Sequence, residues 1–179
     1  MMMRDSLEAF EEVELETGSA AETSALGERL GRHLCPGDVV ALVGELGTGK
    51  TCLAQGLARG LGVAGSLTSP TFILINQYPL PNGTILYHAD AYRLTNPVAE
   101  GRDLGLEELL RGDGICLVEW ADQLSDLIPA EHLQIRLEHM GENRRRIRLT
   151  AYGKRYVDVL ACIGRHEEER GPRTPPELE

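Results

Sequence analysis

The chain is short of positive charge, short of cysteine, and has no long apolar run. Its 18 lysines and arginines face 28 aspartates and glutamates, a formal charge of −10. Attraction to phosphate drives general nucleic-acid binding, so that class is excluded. Any link to RNA is expected to run through partner proteins. No stretch approaches the roughly 20 apolar residues that span a bilayer. The N-terminus lacks a basic stretch followed by an apolar one, so no signal peptide is expected. Cys35, Cys52, Cys116 and Cys162 lie far apart, with no pair at metal-ligand spacing. They read as reduced thiols of a cytoplasmic protein. Cys52 and Cys116 fall in apolar segments and are expected as small core residues.

What remains suits one domain. A chain of 179 residues that is 42% hydrophobic can bury a core without staples. Residues 1–18 read as an acidic segment in which Val13 and Leu15 alternate with glutamates, as in a short edge strand. Residues 19–164 read as the domain, and the charged, proline-bearing residues 165–179 as a disordered tail. No internal repeat is visible.

Within the domain, Ser19 and Glu22 fit a capping box before Leu26, Leu30 and Leu34, one face of a helix that Pro36 and Gly37 stop. Val39–Val43 is uninterruptedly apolar, as in a parallel strand covered on both faces. A second helix shows Leu53, Leu57 and Leu61, ending at Gly62. Residues 72–78 and 84–89 read as strands joined at Asn82-Gly83, a hairpin signal. Residues 104–110 suggest a short helix and 115–118 another central strand. Leu133, Ile135 and Leu137 alternate with polar residues, as do Ile147, Leu149 and Ala151 beyond a turn at 141–143. These form an antiparallel hairpin, and residues 156–163 a last helix. The fold class is α/β: a mixed sheet with central parallel strands and antiparallel edges, flanked by helices.

Gly44-Glu45-Leu46-Gly47-Thr48-Gly49-Lys50-Thr51 matches the P-loop pattern in full, between a buried-strand pattern and a helix pattern. Its glycines let main-chain N–H groups turn toward phosphate oxygens, and the next helix adds its positive end. Lys50 is expected to reach the β- and γ-phosphates, and Thr51 to give its hydroxyl to magnesium. The alternative is a structural glycine turn with a surface lysine.

Other polar groups are less specific. Glu119 ends the apolar run 115–118, where sheet ligands bind; it can hold magnesium or be a solvated strand end. Asp90 follows 85–89 and can orient a water or be a turn aspartate. His88 reads as a hydrogen-bonded structural histidine rather than a ligand contact. Arg93 can pair with a phosphate or a carboxylate. Ser69-Pro70-Thr71-Phe72 can sense a γ-phosphate or be turn chemistry. Trp120, the only tryptophan, reads as packing. Arg144, Arg145, Arg146 and Arg148 read as a solvated face rather than a docking patch.

Taken in order, the loop at 44–51, Ser69-Pro70-Thr71-Phe72, His88-Ala89-Asp90-Ala91-Tyr92-Arg93-Leu94 and Val118-Glu119-Trp120 resemble the TsaE family. The resemblance covers residues 23–153. It implies an ATPase that supports threonylcarbamoyl transfer to adenosine in tRNA, with ATP and Mg2+ bound and with TsaB and TsaD as partners. TsaC would make the activated intermediate, and tRNA would be reached through the complex, with no membrane involved. By this similarity Glu45, Leu46, Gly47, Thr48, Gly49, Lys50, Thr51, Cys52 and Thr71 bind the nucleotide. Thr51 and Glu119 hold magnesium, while Asp90, Lys50 and Glu119 serve catalysis. Trp120 matches the family's tryptophan beside the glutamate. Cys52 stands where many members carry a second hydroxyl, and the tail matches no family pattern. A small-molecule kinase and a nucleotide-gated binding module are the rival readings on the same fold.

Overall fold

The computed structural model describes residues 11–68 and 75–168. The start of the strand expected at 72–78, the 69–72 loop with Thr71, and the end of the chain beyond 168 lie outside the described residues.

Seven strands form one sheet: β1 (Glu11–Thr17), β2 (Val39–Val43), β3 (Ile75–Pro79), β4 (Ile85–Asp90), β5 (Ile115–Glu119), β6 (His132–His139) and β7 (Arg145–Tyr152). Their order across the sheet is β1-β7-β6-β2-β5-β4-β3. The runs β2 and β5 are buried along their whole length, as two-faced apolar segments must be. β2 pairs parallel with β5 and β6, and β5 pairs parallel with β4. The amphipathic strands take the edges, where β6–β7, β1–β7 and β3–β4 are antiparallel. The register sets Glu119 beside both Leu42 and Asp90, so the carboxyl ends of three parallel strands finish together.

Helices α1 (Ala20–Gly31), α2 (Lys50–Gly60) and α5 (Lys154–Glu168) cover one face. There Leu26, Leu30, Leu53 and Leu57 pack on Leu42, Leu117, Ile135 and Leu149. Helices α3 (Pro97–Asp103) and α4 (Leu106–Leu110), with a 3-10 turn at Ala121–Leu124, close the other face over Ala41, Ala89 and Val118. None of the helices among the described residues is long and apolar enough to cross a membrane.

The expected cap of α1 is present in a shifted form. Ser19 Oγ accepts from Glu22 N at 3.1 Å, while the Glu22 carboxylate accepts from the N–H of Gly18 rather than of Ser19. On the open face of the edge strands, Arg144 meets Glu16 at 2.6 Å, Arg146 meets Glu14 at 3.2 Å, and Arg148 meets Glu14 at 3.0 Å. Water screens such surface pairs, and they fit the solvated-face reading of these three arginines.

β1 is the edge strand that the alternation at Val13 and Leu15 suggested, hydrogen-bonded to β7 in the same sheet. Several other elements differ from expectation. The helix expected at 104–110 begins only at Leu106, because Gly105 takes φ +72° and breaks the turn from α3. The pattern gave no sign of α3, which buries little beyond Gly101. It is held instead by Pro97 in its first turn and by the Glu100 carboxylate, which caps the N–H groups of Thr95 and Asn96. α5 starts at Lys154 and runs to Glu168, longer at both ends than the helix expected at 156–163. Cys116 is buried as expected, its thiol pushed up to about 12 by desolvation. Cys52 is only half-buried, and its thiol donates to Ala20 O.

The seat of α2 on α1 is glycine-made. A Cβ on Gly27 would strike Leu53 O, and one on Gly31 would strike Leu57 O. Reciprocally, Gly56 faces Ser24 O and Gly60 faces Glu28 O. Only hydrogen fits at these four positions. Gly56→Ala is therefore expected to destabilise the protein by about 1–3 kcal/mol through overpacking. Gly164→Ala, in α5 with nothing within 4 Å of its added methyl, is expected to be neutral or stabilising by up to about 1 kcal/mol. Urea denaturation of the two variants checks both signs.

Candidate functional site

The site lies where β2 turns into α2. Gly44, Gly47 and Gly49 take φ of +151°, +77° and +102°, backbone that side chains rarely allow. Gly49 is the N-terminal cap residue of α2 and offers no side chain, so the helix's first N–H groups face the loop. Thr48 is buried and ties the loop to itself, its N–H and its hydroxyl both donating to Glu45 O. Lys50 curls under the loop, and its ammonium donates to Gly44 O at 2.6 Å and Glu45 O at 2.7 Å.

That ammonium also sits 4.0 Å from the centre of the Trp120 ring, a cation–π contact. Trp120 holds φ +57°, the only non-glycine positive φ among the described residues. This bend after β5 swings the indole over the loop, where Tyr92 meets it at 5.0 Å between ring centres. Burial lowers the pKa of Lys50, opposed by the charges of Glu119, Asp90 and Asp122.

Beside Lys50, Thr51 Oγ1 donates to Glu119 Oε2 at 2.9 Å. The other carboxylate oxygen of Glu119 lies 2.9 Å from His88 Nε2, and both side chains are buried. His88 thus orients Glu119, as a structural histidine on the neighbouring strand, while its Nδ1 has no hydrogen-bond partner among the described residues. Asp90 accepts from Tyr92 N at 2.9 Å, an Asx turn that fixes its carboxylate. Desolvation raises the pKa of Asp90, reinforced by Glu119 and opposed by the Tyr92 N–H, His88 and Lys50.

These groups converge on a cavity of about 180 Å³ lined by Leu46, Gly47, Lys50, Thr51, Asp90, Tyr92, Glu119 and Trp120. A larger cavity of about 290 Å³ lies elsewhere, between His132, Tyr152 and Ile128. It lacks a lysine and a glycine loop, so size does not select the site; chemistry does. Of the residues expected at a nucleotide, Gly47, Lys50, Thr51, Asp90 and Glu119 share the smaller cavity. Leu46 is exposed on its rim at 68%, and Glu45, Thr48 and Gly49 shape the loop. Cys52 is turned toward α1, and Thr71 lies outside the described residues. Sequence reading did not foresee that His139 and Arg145 contact the loop. The clue was parity: both occupy the inward rows of β6 and β7, alongside Leu137 and Ile147.

The oxygens of a hydroxyl and a carboxylate, 2.9 Å apart on the wall of this cavity, suit a hard cation such as magnesium, which keeps waters and phosphate oxygens for its other positions. The strand–loop–helix at the carboxyl edge of a seven-stranded mixed sheet defines the class: a mixed α/β protein with a glycine-rich loop between strand and helix. Within that class the chain belongs to the TsaE family, whose description is threonylcarbamoyl adenosine biosynthesis protein TsaE; the match covers residues 17–147. It is 41% identical to the tRNA threonylcarbamoyladenosine biosynthesis protein TsaE of Bacillus subtilis over 84% of this chain and 93% of that one. The protein of the same description from Streptomyces coelicolor is 40% identical, over 76% of this chain and 97% of that one. The crystal structure of YdiB from Bacillus subtilis superposes with a TM-score of 0.71 at 36% identity, covering 88% of this chain and 97% of that one. The expected fold class and family are thereby borne out.

A carboxylate with a raised pKa is one whose ionised form is disfavoured by folding, so Asp90 costs stability at neutral pH. Asp90→Asn, which keeps the acceptor for Tyr92 N, is expected to raise the melting temperature at pH 7 by a few degrees. The gain should shrink as pH falls through the carboxylate range, because wild-type Asp90 then protonates as well. Calorimetric melting from pH 7 to pH 4 measures it; a variant less stable than wild type at pH 7 would contradict the assignment.

Proposed function

We propose that this protein is a magnesium-dependent ATPase that serves threonylcarbamoyladenosine modification of tRNA in the cytoplasm, together with homologues of TsaB and TsaD. The observation that carries the reading is the bond from Thr51, the first-turn hydroxyl of α2, to the buried carboxylate Glu119, with Asp90 and Lys50 in the same cavity. Family membership supports the tRNA assignment. The net charge of −10 supports action through partners rather than by gripping RNA directly.

In this reading, loop N–H groups and the first turn of α2 bind the phosphates. Lys50 exchanges its two carbonyl partners for β- and γ-phosphate oxygens. Thr51 and Glu119 would hold magnesium, which when bound would supply positive charge to offset that of the phosphate oxygens. His88 keeps Glu119 oriented. Asp90 aligns a water against the γ-phosphorus and takes a proton from it as the new P–O bond forms; the bond to the β-phosphate oxygen breaks, and ADP leaves. A carboxylate whose pKa is raised by burial is the better acceptor for that proton. Leu46 and Tyr92, both exposed on the rim, leave room for a partner to complete the site.

Phosphate release should rise on adding the TsaB and TsaD homologues. Lys50→Ala and Asp90→Asn should each lower it about a hundredfold, and nucleoside mass spectrometry after depletion should show loss of threonylcarbamoyladenosine. Equal rates for wild type and Lys50→Ala, with and without partners, would overturn the ATPase reading. Full modification supported by Asp90→Asn would instead favour nucleotide gating without turnover.

A further inference from the structure

The phosphate loop leans on the turn between β6 and β7, and the contacts follow a pattern. Arg145 Nε donates to Thr48 O at 3.0 Å. Its Nη1 is anchored by three turn carbonyls, Gly141 O at 3.3 Å, Glu142 O at 3.2 Å and Arg144 O at 2.9 Å. His139 Nε2 lies 3.4 Å from Leu46 O, and donates to it in the tautomer that carries the proton on Nε2. Arg145 and His139 are cross-strand partners at the end of the β6–β7 ladder. Below them Leu137 O would meet any Cβ on Gly44 at 2.5 Å, so the strand end and the loop are in contact.

We infer that Arg145, seconded by His139, is a positioning residue that aims the phosphate-binding N–H groups of Gly49 and Gly47. The inference deepens the nucleotide-binding reading above and rests on it. In a planar trans peptide the C=O of one residue and the N–H of the next point in opposite directions. Holding the carbonyls of Thr48 and Leu46 on the hairpin side therefore turns the N–H groups of Gly49 and Gly47 away from it. Gly47 lines the cavity that also holds Lys50 and Thr51, whereas neither Arg145 nor His139 reaches that cavity. Among the hydrogen bonds of the described residues, none is donated by the N–H of Gly47 or Gly49.

The loop needs such a constraint because of its own composition. Glycine adopts either sign of φ with little preference, so the peptides preceding Gly47 and Gly49 can flip at low cost. A flipped peptide would present a carbonyl oxygen to a phosphate, which repels it. Arginine suits the task because its fork donates in two directions from a fixed plane: Nε to the loop, Nη1 to the turn. The other arginines of the cluster serve a different purpose, since Arg144, Arg146 and Arg148 pair with glutamates of β1.

The test is calorimetric titration of full-length protein with ATP and ADP, alongside steady-state hydrolysis. Wild type, Lys50→Ala, Arg145→Ala, Arg145→Lys, His139→Ala and Arg148→Ala are compared. Arg145→Ala should weaken both nucleotides about tenfold and raise KM by a similar factor with a smaller change in kcat. Arg145→Lys should recover part of the loss, His139→Ala should cost less than Arg145→Ala, and Arg148→Ala should bind as wild type. In 15N spectra of the folded variants, the Gly47 and Gly49 amide signals should move for Arg145→Ala and not for Arg148→Ala. If Arg145→Ala is poorly folded, Arg145→Lys carries the same readouts. Wild-type affinity in folded Arg145→Ala, with those two amides unmoved, would overturn the inference and leave the nucleotide reading standing. Absence of nucleotide binding by wild type itself would remove both.

Discussion

A carboxyl group buried at the end of a central strand is the constraint on which this site is built. Glu119 is 2% exposed, and a charge so placed is costly unless its oxygens are bonded. Thr51 supplies one bond from the start of α2 and His88 supplies the other from β4. Three elements are thereby locked together around a single side chain. The parallel register that sets Glu119 beside Leu42 and Asp90 brings the loop, the metal-suited oxygens and the second carboxylate to one edge of the sheet.

The surrounding fold holds this edge from both sides. Four glycines let α2 sit directly on the backbone of α1, which fixes where the glycine loop must end. On the opposite flank, the β6–β7 turn reaches the loop carbonyls through Arg145 and His139. The site itself works against stability. Asp90 is desolvated beside a second carboxylate, and Trp120 is held in left-handed backbone that a bulky residue rarely takes. Strain and unfavourable charge of this kind collect where function requires them.

Much of this was legible in sequence because the signals were local. Uninterrupted apolar runs marked β2 and β5, alternation marked β1, β6 and β7, and the glycine pattern marked the loop. What escaped had no local period. Helix α3 is held by a proline and by the Glu100 carboxylate rather than by an apolar face. The bend at Trp120 depends on the ring finding Lys50 and Tyr92 in space. In sequence Arg145 belongs to one basic cluster with its neighbours, but strand parity separates it from Arg144 and Arg146 and turns it inward. Cys52 sits in an apolar segment, yet its thiol lies at the start of α1, because the helix face it occupies is only half covered.

The central claim is that Glu119 and Thr51 hold a magnesium ion against a triphosphate gripped by the loop. Calorimetric titration of ATP with and without magnesium, on wild type and Glu119→Gln, tests it most directly. Magnesium should tighten ATP binding by wild type about tenfold or more and change it little in the variant. No ATP binding by folded wild type, or an undiminished magnesium effect in Glu119→Gln, would contradict the account.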